Sequence, residues 1–239
     1  MISKLLVLPK YEMLELDISS CNFDQIGAKS IYTCLLKNCQ LEVLHMNRNK
    51  LRGPTIRYFT EAMWKNKNLK KLSLESCELD HEASVRVLEA LENNFYLKAV
   101  NLSHNGFTEK LSDSISQLFS SENWRLKYIN LSNNYLTDEV LKNISVVSFL
   151  KSCSSLVLRH NSFNNDGARQ IFQMILNNEN LSRVDIRRNL ISIKYLEEIK
   201  SLILKKKVRL LFSDNDKYLQ LNLHPYWPIL SQILCSDGI

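Results

Sequence analysis

The sequence has 239 residues, 45% of them hydrophobic, and a formal net charge of +6. This length and apolar content are enough to bury a long core, and no apolar run approaches the roughly 20 residues that a membrane helix requires. The first apolar stretch, KLLVLPK, is too short for a signal peptide, so we expect a cytoplasmic protein.

An eleven-residue pattern recurs along the chain, and residue positions below are counted from the start of each copy. The first copy, MLELDISSCNF from Met13, has apolar residues at positions 1, 4, 6 and 11. The later copies start at Leu41, Leu69, Leu97, Leu126, Cys153 and Leu181. One such copy is ambiguous between a short strand and other structures. Seven copies at intervals of 27 to 29 residues predict a repeat array.

Position 9 of every copy is asparagine or cysteine. These residues are Cys21, Asn49, Cys77, Asn105, Asn134, Asn161 and Asn189. Where the chain leaves a strand, its backbone groups lose their ladder partners, and a buried group left unpaired costs on the order of 1–3 kcal/mol. We therefore interpret Asn134 and its equivalents as structural residues.

The pattern L-x-x-L-x-L-x-x-N/C-x-L resembles that of the leucine-rich repeat family, over about residues 11 to 205. The repeat lengths and the Asn/Cys alternation are similar to the cytosolic ribonuclease-inhibitor-like subgroup. The resemblance implies that the asparagine at position 9 turns inward and bonds the backbone of adjacent coils. The segment SSENWRLKYINLS is also similar to a segment of centrosomal members, so a cytoskeletal, centrosomal or ciliary location is a further expectation.

The second half of each copy predicts a helix. Position 19 is apolar in all seven copies, and position 23 is apolar in six, which places both on one helical face. Ser148 interrupts the second column, so we expect a shifted or shortened helix there. Gly27 and Gly167 are each followed by alanine. The resemblance implies that these small residues let the start of a helix lie close to its neighbour. The predicted fold is an α/β solenoid with a parallel sheet on its concave face and helices on its convex face.

We expect a single domain over residues 1–239, with seven regular repeats at 13–207 and a partial preceding unit at 1–12. Residues 208–239 are interpreted as a degenerate repeat followed by a tail. That tail either folds back as a cap with Trp227 buried, because a solenoid requires covered ends, or docks on a partner. The N-terminal edge requires a cover from a partner, self-association or sequence beyond this chain.

The sequence gives little support for a catalytic site. His104 and His160 share position 8 but are two repeats apart, about 10 Å at the usual strand spacing, which is too far to share a metal ion. The five glycines are scattered, without a phosphate loop. The six cysteines contain no C-x-x-C pair, which disfavours a zinc site or disulfide framework. We expect no enzymatic activity, no cofactor and no small-molecule substrate.

Positions 3, 5, 7 and 8 are predicted to project from the concave face. They change from acidic in the first repeat, with Glu15 and Asp17, to basic in the last two. The candidate partner-binding residues are Tyr128, Arg159, His160, Arg183, Arg187 and Arg188. Clustered arginines suit carboxylates, phosphates or acidic peptides. The alternative is that they only solubilise a sheet that faces water.

These observations favour a noncatalytic adaptor or scaffold that binds an acidic protein partner through its concave face. One alternative is a regulatory or inhibitory subunit that docks through its ends or the Trp227 tail. Another is phosphate or nucleic-acid binding by the basic C-terminal patch, which Lys205, Lys206, Lys207 and Arg209 extend. The aromatic residues that stack on single strands are nearly absent from this face, which disfavours nucleic acid.

Four N-x-S sequons start at Asn101, Asn130, Asn143 and Asn180. Asn101 and Asn130 are the fifth residues of predicted strands, where glycans would fill the concave face. We therefore interpret the sequons as chance matches.

Overall fold

Short strands recur once per sequence repeat. The computed structural model describes residues 13–22, 25–37, 40–53, 56–120, 125–144, 152–196, 198 and 208–211. The strands are β1 (Glu15–Asp17), β2 (Val43–His45), β3 (Lys71–Ser73), β4 (Ala99–Asn101), β5 (Tyr128–Asn130), β6 (Ser155–Val157), β7 (Arg183–Asp185) and β8 (Arg209–Leu211). Each of the first seven occupies positions 3 to 5 of its repeat, which confirms the predicted placement.

Helices alternate with these strands. They are α1 (Gln25–Leu36), α2 (Ile56–Lys65), α3 (His81–Glu92), α4 (Ser112–Ser120), α5 (Asp138–Ile144) and α6 (Asn165–Asn177), and a 3-10 helix (Glu109–Leu111) precedes α4. Residues 193–196 are also helical. Side-chain oxygens of Asp80 and Asn164 accept hydrogen bonds from first-turn backbone N–H groups of α3 and α6. Such caps satisfy donors that have no partner within the helix.

The eight strands form one parallel sheet in chain order, β1 to β8. Equal repeat positions are paired, as in Leu16 with Leu44 and Ile129 with Leu156. Val184 pairs with Leu210, so the sheet continues into an eighth strand across a shorter interval. Sequential parallel strands joined by helices give the predicted α/β solenoid, with the sheet on one side and the helices on the other.

A left-handed turn that the sequence analysis did not foresee follows each of the strands β1 to β7. Position 8 has a positive φ in every repeat, at Ser20, Arg48, Ser76, His104, Asn133, His160 and Arg188, with values between 54° and 58°. A non-glycine residue pays about 1–2 kcal/mol for this conformation, and asparagine and histidine tolerate it best. After the turn, position 9 is buried or half-buried in repeats 2 to 7, whereas Cys21 in repeat 1 is exposed, contrary to the prediction for this position.

The prediction for position 9 is confirmed by Asn134, which is buried. Its Nδ2 donates to the carbonyl oxygens of Leu102 at 3.2 Å and Leu131 at 3.0 Å. Its Oδ1 accepts from the backbone N–H groups of Asn105 and Phe107, each at 3.0 Å. One side chain thus satisfies backbone groups of its own coil and the preceding coil. Asn105, Asn161 and Asn189 bond the backbone in the same manner.

A second set of asparagines lies where some of the helices return to the next strand. Asn94 Nδ2 donates to Met63 O at 2.5 Å, and its Oδ1 accepts from Leu97 N at 2.9 Å. Asn66 makes the equivalent bonds to Leu35 O and Leu69 N. The sequence analysis missed this set, although asparagine recurs at position 26 as Asn38, Asn66, Asn94 and Asn178.

The two helix columns lie in the core as predicted, because positions 19 and 23 are buried wherever their side chains are described. These residues are Ile31, Leu35, Phe59, Met63, Val87, Leu91, Ile115, Phe119, Ile171 and Ile175. The predicted need for a small residue at Gly167 is also confirmed. A Cβ there would meet Asp138 Oδ1 at 2.1 Å and Phe163 Cβ at 3.2 Å. Any larger residue would displace the Asp138 carboxylate, which accepts a hydrogen bond from Asn164 N.

Several expectations fall outside the described residues. They concern the unit at residues 1–12, the helix around Ser148, the basic residues 205–207 and the Trp227 tail. The side chain of Arg209 is also outside them. The domain boundaries proposed from the sequence therefore stay a proposal.

Candidate functional site

The concave face is formed by positions 3, 5, 7 and 8, and its charge changes along the sheet. On the first strand and its turn it carries the carboxylates of Glu15 and Asp17, both exposed. Repeats 4 and 5 contribute neither a carboxylate nor an arginine or lysine at these positions. Arg159 in repeat 6 is exposed, and Arg183, Arg187 and Arg188 follow in repeat 7. The predicted polarity of the face is therefore present in the fold.

The centre of the concave face is a closed hydrogen-bond network. Asn101 Oδ1 accepts from the N–H and hydroxyl groups of Ser103 at 3.1 and 2.8 Å, and its Nδ2 donates to Glu75 Oε2 at 3.1 Å. Asn130 Oδ1 accepts from Ser132 N at 2.9 Å. Both asparagines are buried, which leaves no room for a glycan at either sequon. Repeats 4 and 5 therefore offer neutral polar groups, which the Glu75 carboxylate of repeat 3 borders.

Six residues define the C-terminal concave cluster: Tyr128, Arg159, His160, Arg183, Arg187 and Arg188. His160 and Arg188 follow Arg159 and Arg187 in the left-handed turns at position 8. His160 is half-buried, whereas Arg188 is exposed. The backbone N–H of His160 donates to Arg187 O at 2.9 Å, which holds the two turns side by side. The fold thus brings these predicted residues onto one area of the sheet.

Tyr128 and Arg183 enclose a buried serine. Register pairs Tyr128 with Ser155 and Ser155 with Arg183 across three strands. Ser155 is 3% exposed although it lies on the concave face, and its neighbours are half-buried. Burial raises the pKa of the Tyr128 hydroxyl, and the positive charges of Arg183 and Arg159 oppose that rise. The hydroxyl therefore stays a hydrogen-bond donor at neutral pH and lies within the electrostatic range of both arginines.

Asp185 lies inside the C-terminal concave cluster and was not considered in the sequence analysis. Its carboxylate is 1% exposed and accepts two hydrogen bonds from Arg187, from Nε at 2.9 Å and Nη2 at 2.7 Å. Arg187 is thus engaged in a bidentate pair that neutralises its charge locally. Arg159, Arg183 and Arg188 supply the remaining excess of positive charge. Asp185 at position 5 could have been noticed, since Asp17 occupies the same position.

The described residues include no group of three or more His, Cys, Asp or Glu side chains arranged to hold a metal ion. Within the same residues, no helix is both long and apolar enough to cross a membrane. Cys77 and Cys153 are buried free thiols. Burial raises the pKa of each of these thiols to about 12, so they stay protonated and pack as small apolar residues.

Comparisons with known proteins agree with the repeat pattern. The family model described as Leucine Rich Repeat matches residues 96–118 and 125–146. The human protein "NACHT, LRR and PYD domains-containing protein 13" is 25% identical over 164 residues, which cover 68% of this chain and 16% of that protein. The chain is a leucine-rich repeat protein. It spans about one sixth of the length of this curated relative.

Solved structures support the same fold. The C-terminal domain of tropomodulin from Caenorhabditis elegans is similar with a TM-score of 0.53 and 16% identity, over 61% of this chain and 89% of that chain. A protein from Bacteroides fragilis is similar with a TM-score of 0.56 and 17% identity, over 91% of this chain and 70% of that chain. At these identities the likeness concerns the fold alone.

Proposed function

We propose that this protein is a noncatalytic protein-interaction module, an adaptor or scaffold of the ribonuclease-inhibitor-like type. It binds an acidic protein segment through the C-terminal concave cluster. The observation that carries this proposal is an excess of guanidinium groups at one end of the sheet face, whose opposite end carries the carboxylates of Glu15 and Asp17. A sheet that only needed solubility would not require three arginines in two adjacent repeats.

The chemistry of the cluster suits carboxylates. Arg159 is exposed beside the turn at His160, and an arginine there can form two parallel hydrogen bonds with one carboxylate. The protonated hydroxyl of Tyr128 adds a neutral donor next to Arg183. Nucleic acid is disfavoured because Tyr128 is the one aromatic residue at positions 3, 5, 7 and 8 of the seven repeats.

A charge-reversal pair tests the proposal. The probe is a fluorescein-labelled, alanine-rich peptide with four glutamates in its first turns, and binding is measured by fluorescence anisotropy. We expect Arg159→Glu combined with Arg188→Glu to weaken binding at least tenfold, because favourable pairs become repulsive. Added salt should also weaken binding of the parent protein.

Arg48→Glu is the matched control. Arg48 occupies position 8 of repeat 2, is exposed, and has a φ of 54°, compared with 55° for Arg188. Its reversal changes the net charge by as much as Arg188→Glu alone, at a distant point of the face, so these two single variants are compared. Equal weakening by Arg48→Glu would show that overall charge, and not the C-terminal concave cluster, governs binding, and the proposal would then be wrong.

A further inference from the structure

The acidic end of the concave face implies a second contact for the same partner. Glu15 and Asp17 project from β1, at the opposite end of the sheet from Arg159 and Arg183. We propose that the partner is an elongated protein segment with acidic residues at one end and basic residues at the other. It lies across the strands in one orientation, with its basic end over β1. This inference rests on the proposed function and adds the partner's charge order and length.

The β1 carboxylates are placed to receive a cation. The Glu15 side chain is 67% exposed and approaches His45 Nε2 at 3.4 Å. Asp17 Oδ1 accepts from Ser19 N at 2.8 Å, and the hydrogen bonds from Ser19 lower the pKa of Asp17. Both carboxylates therefore carry charge on the solvent side of the sheet, and this end repels an acidic segment.

The two charged ends act independently. Five to six strand spacings of about 4.8 Å separate β1 from β6 and β7, a path of roughly 24–29 Å along the face. The Debye length is about 8 Å at physiological ionic strength, so the arginines do not offset the β1 carboxylates through solvent. Each end selects its own counter-charge, and a small anion cannot contact both.

Repeats 4 and 5, at the centre of the concave face, can contact a partner without selecting its charge. Asn101, Asn130, Ser103 and Ser132 bond to one another or to nearby backbone and are buried. A partner crossing repeats 4 and 5 meets neutral polar groups, so these two repeats contribute no charge preference. The two charged ends of the concave face therefore determine which charge order the partner must have. An α-helix rises 1.5 Å per residue, and about 16–19 helical residues span the separation.

Three labelled peptides test the inference on the full chain. The acidic peptide is the probe described above, extended to about 24 residues. The bipolar peptide has the same four glutamates at its start and four lysines in its last turns, an order that also stabilises the helix. The interleaved peptide has the bipolar composition with mixed charges. We expect the parent protein to bind the bipolar peptide at least tenfold more tightly than either other peptide.

The variant Glu15→Gln/Asp17→Asn should remove this tenfold advantage while changing affinity for the acidic peptide less than twofold. Glu89→Gln/Glu109→Gln, which neutralises two exposed carboxylates on helical elements, is the control and should retain the advantage. An advantage that survives in Glu15→Gln/Asp17→Asn, or equal binding of the bipolar and interleaved peptides, would overturn the inference alone. If Arg159→Glu/Arg188→Glu leaves the affinity for the acidic peptide unchanged, the proposed function is wrong. If none of the three peptides binds, both the proposed function and this inference are wrong.

Discussion

The asparagine ladder at position 9 and the C-terminal concave cluster lie side by side, yet they use polar groups in opposite ways. Asn189 belongs to the ladder, and its Nδ2 donates to Leu158 O at 3.1 Å and Ile186 O at 2.9 Å. The next residue toward the N-terminus, Arg188, is an exposed member of the cluster. One left-handed turn at position 8 separates a half-buried structural side chain from a solvent-facing charged one.

The contrast shows that polar content alone does not reveal a binding site in this fold. In the ladder from Asn105 to Asn189, each amide donates to and accepts from backbone groups of its own or the preceding coil, so its hydrogen bonds are closed internally. In the cluster, one carboxylate, Asp185, is opposed by several guanidinium groups. Arg159 and Arg188 are exposed, so their charges are accessible to another molecule. An excess of unbalanced charge, not a high density of polar residues, distinguishes the candidate site.

The largest expected effect comes from breaking the ladder. Asn134→Leu removes the acceptor for Asn105 N and Phe107 N and leaves buried backbone groups without partners. We expect a loss of about 3 kcal/mol in the free energy of unfolding, measured by urea denaturation. The control is Asn133→Gly, since glycine accepts the left-handed conformation of Asn133, and its effect should stay below about 0.5 kcal/mol.

The Asn133 control uses glycine and not leucine because of the backbone conformation of this residue. Position 8 alone predicts that Asn133→Leu is harmless, because its side chain points outward. The φ of 54° makes leucine unfavourable there by about 1 kcal/mol. Equal shifts for Asn134→Leu and Asn133→Gly would contradict the assigned roles of the two positions.

A smaller effect is expected inside the cluster. Asp185→Asn keeps the shape of the side chain but removes the charge that holds Arg187. Hydrogen bonds to charged groups contribute about 1.5–3 kcal/mol, so stability should fall by about 2 kcal/mol. Affinity for the acidic peptide should rise several-fold, because Arg187 becomes available. A variant with reduced stability but unchanged affinity would show that Arg187 has no part in binding.

The smallest effect at neutral pH concerns a buried thiol behind the sheet. The pKa of Cys153 is raised to about 12, whereas a thiol in the unfolded chain has a pKa near 8.5. Because only the unfolded state then ionises, this stabilisation is complete below about pH 8.5. It is lost by about 1.4 kcal/mol per pH unit as the pH rises toward 12. Comparing urea unfolding of the parent protein and Cys153→Ala at pH 8 and pH 10 checks this. Equal losses of stability in both proteins would contradict it.

The fold and part of the site could be predicted from the sequence, because the repeat supplies seven aligned copies of one local pattern. The strands, the buried columns and the ladder at position 9 follow from residue spacing and from the need to satisfy backbone groups. The bidentate pair between Asp185 and Arg187 could not be predicted with confidence, because spacing does not define side-chain rotamers. The left-handed turns at position 8 were missed because serine, arginine and histidine there show no common backbone preference.

The sequence by itself determined the repeat period, the parallel order of the strands and the direction in which the concave charges change, since these depend on local residue spacing. Only the tertiary structure decided which charges are already paired. It buries Asp185 against Arg187, closes Asn101 and Asn130 into a network, and leaves Arg159 exposed. The physical reason is that Asp185 and Arg187, like Asn101 and Ser103, are only two residues apart, so spacing permits these bonds. The side-chain rotamers and the burial that form them are fixed only when the coils stack.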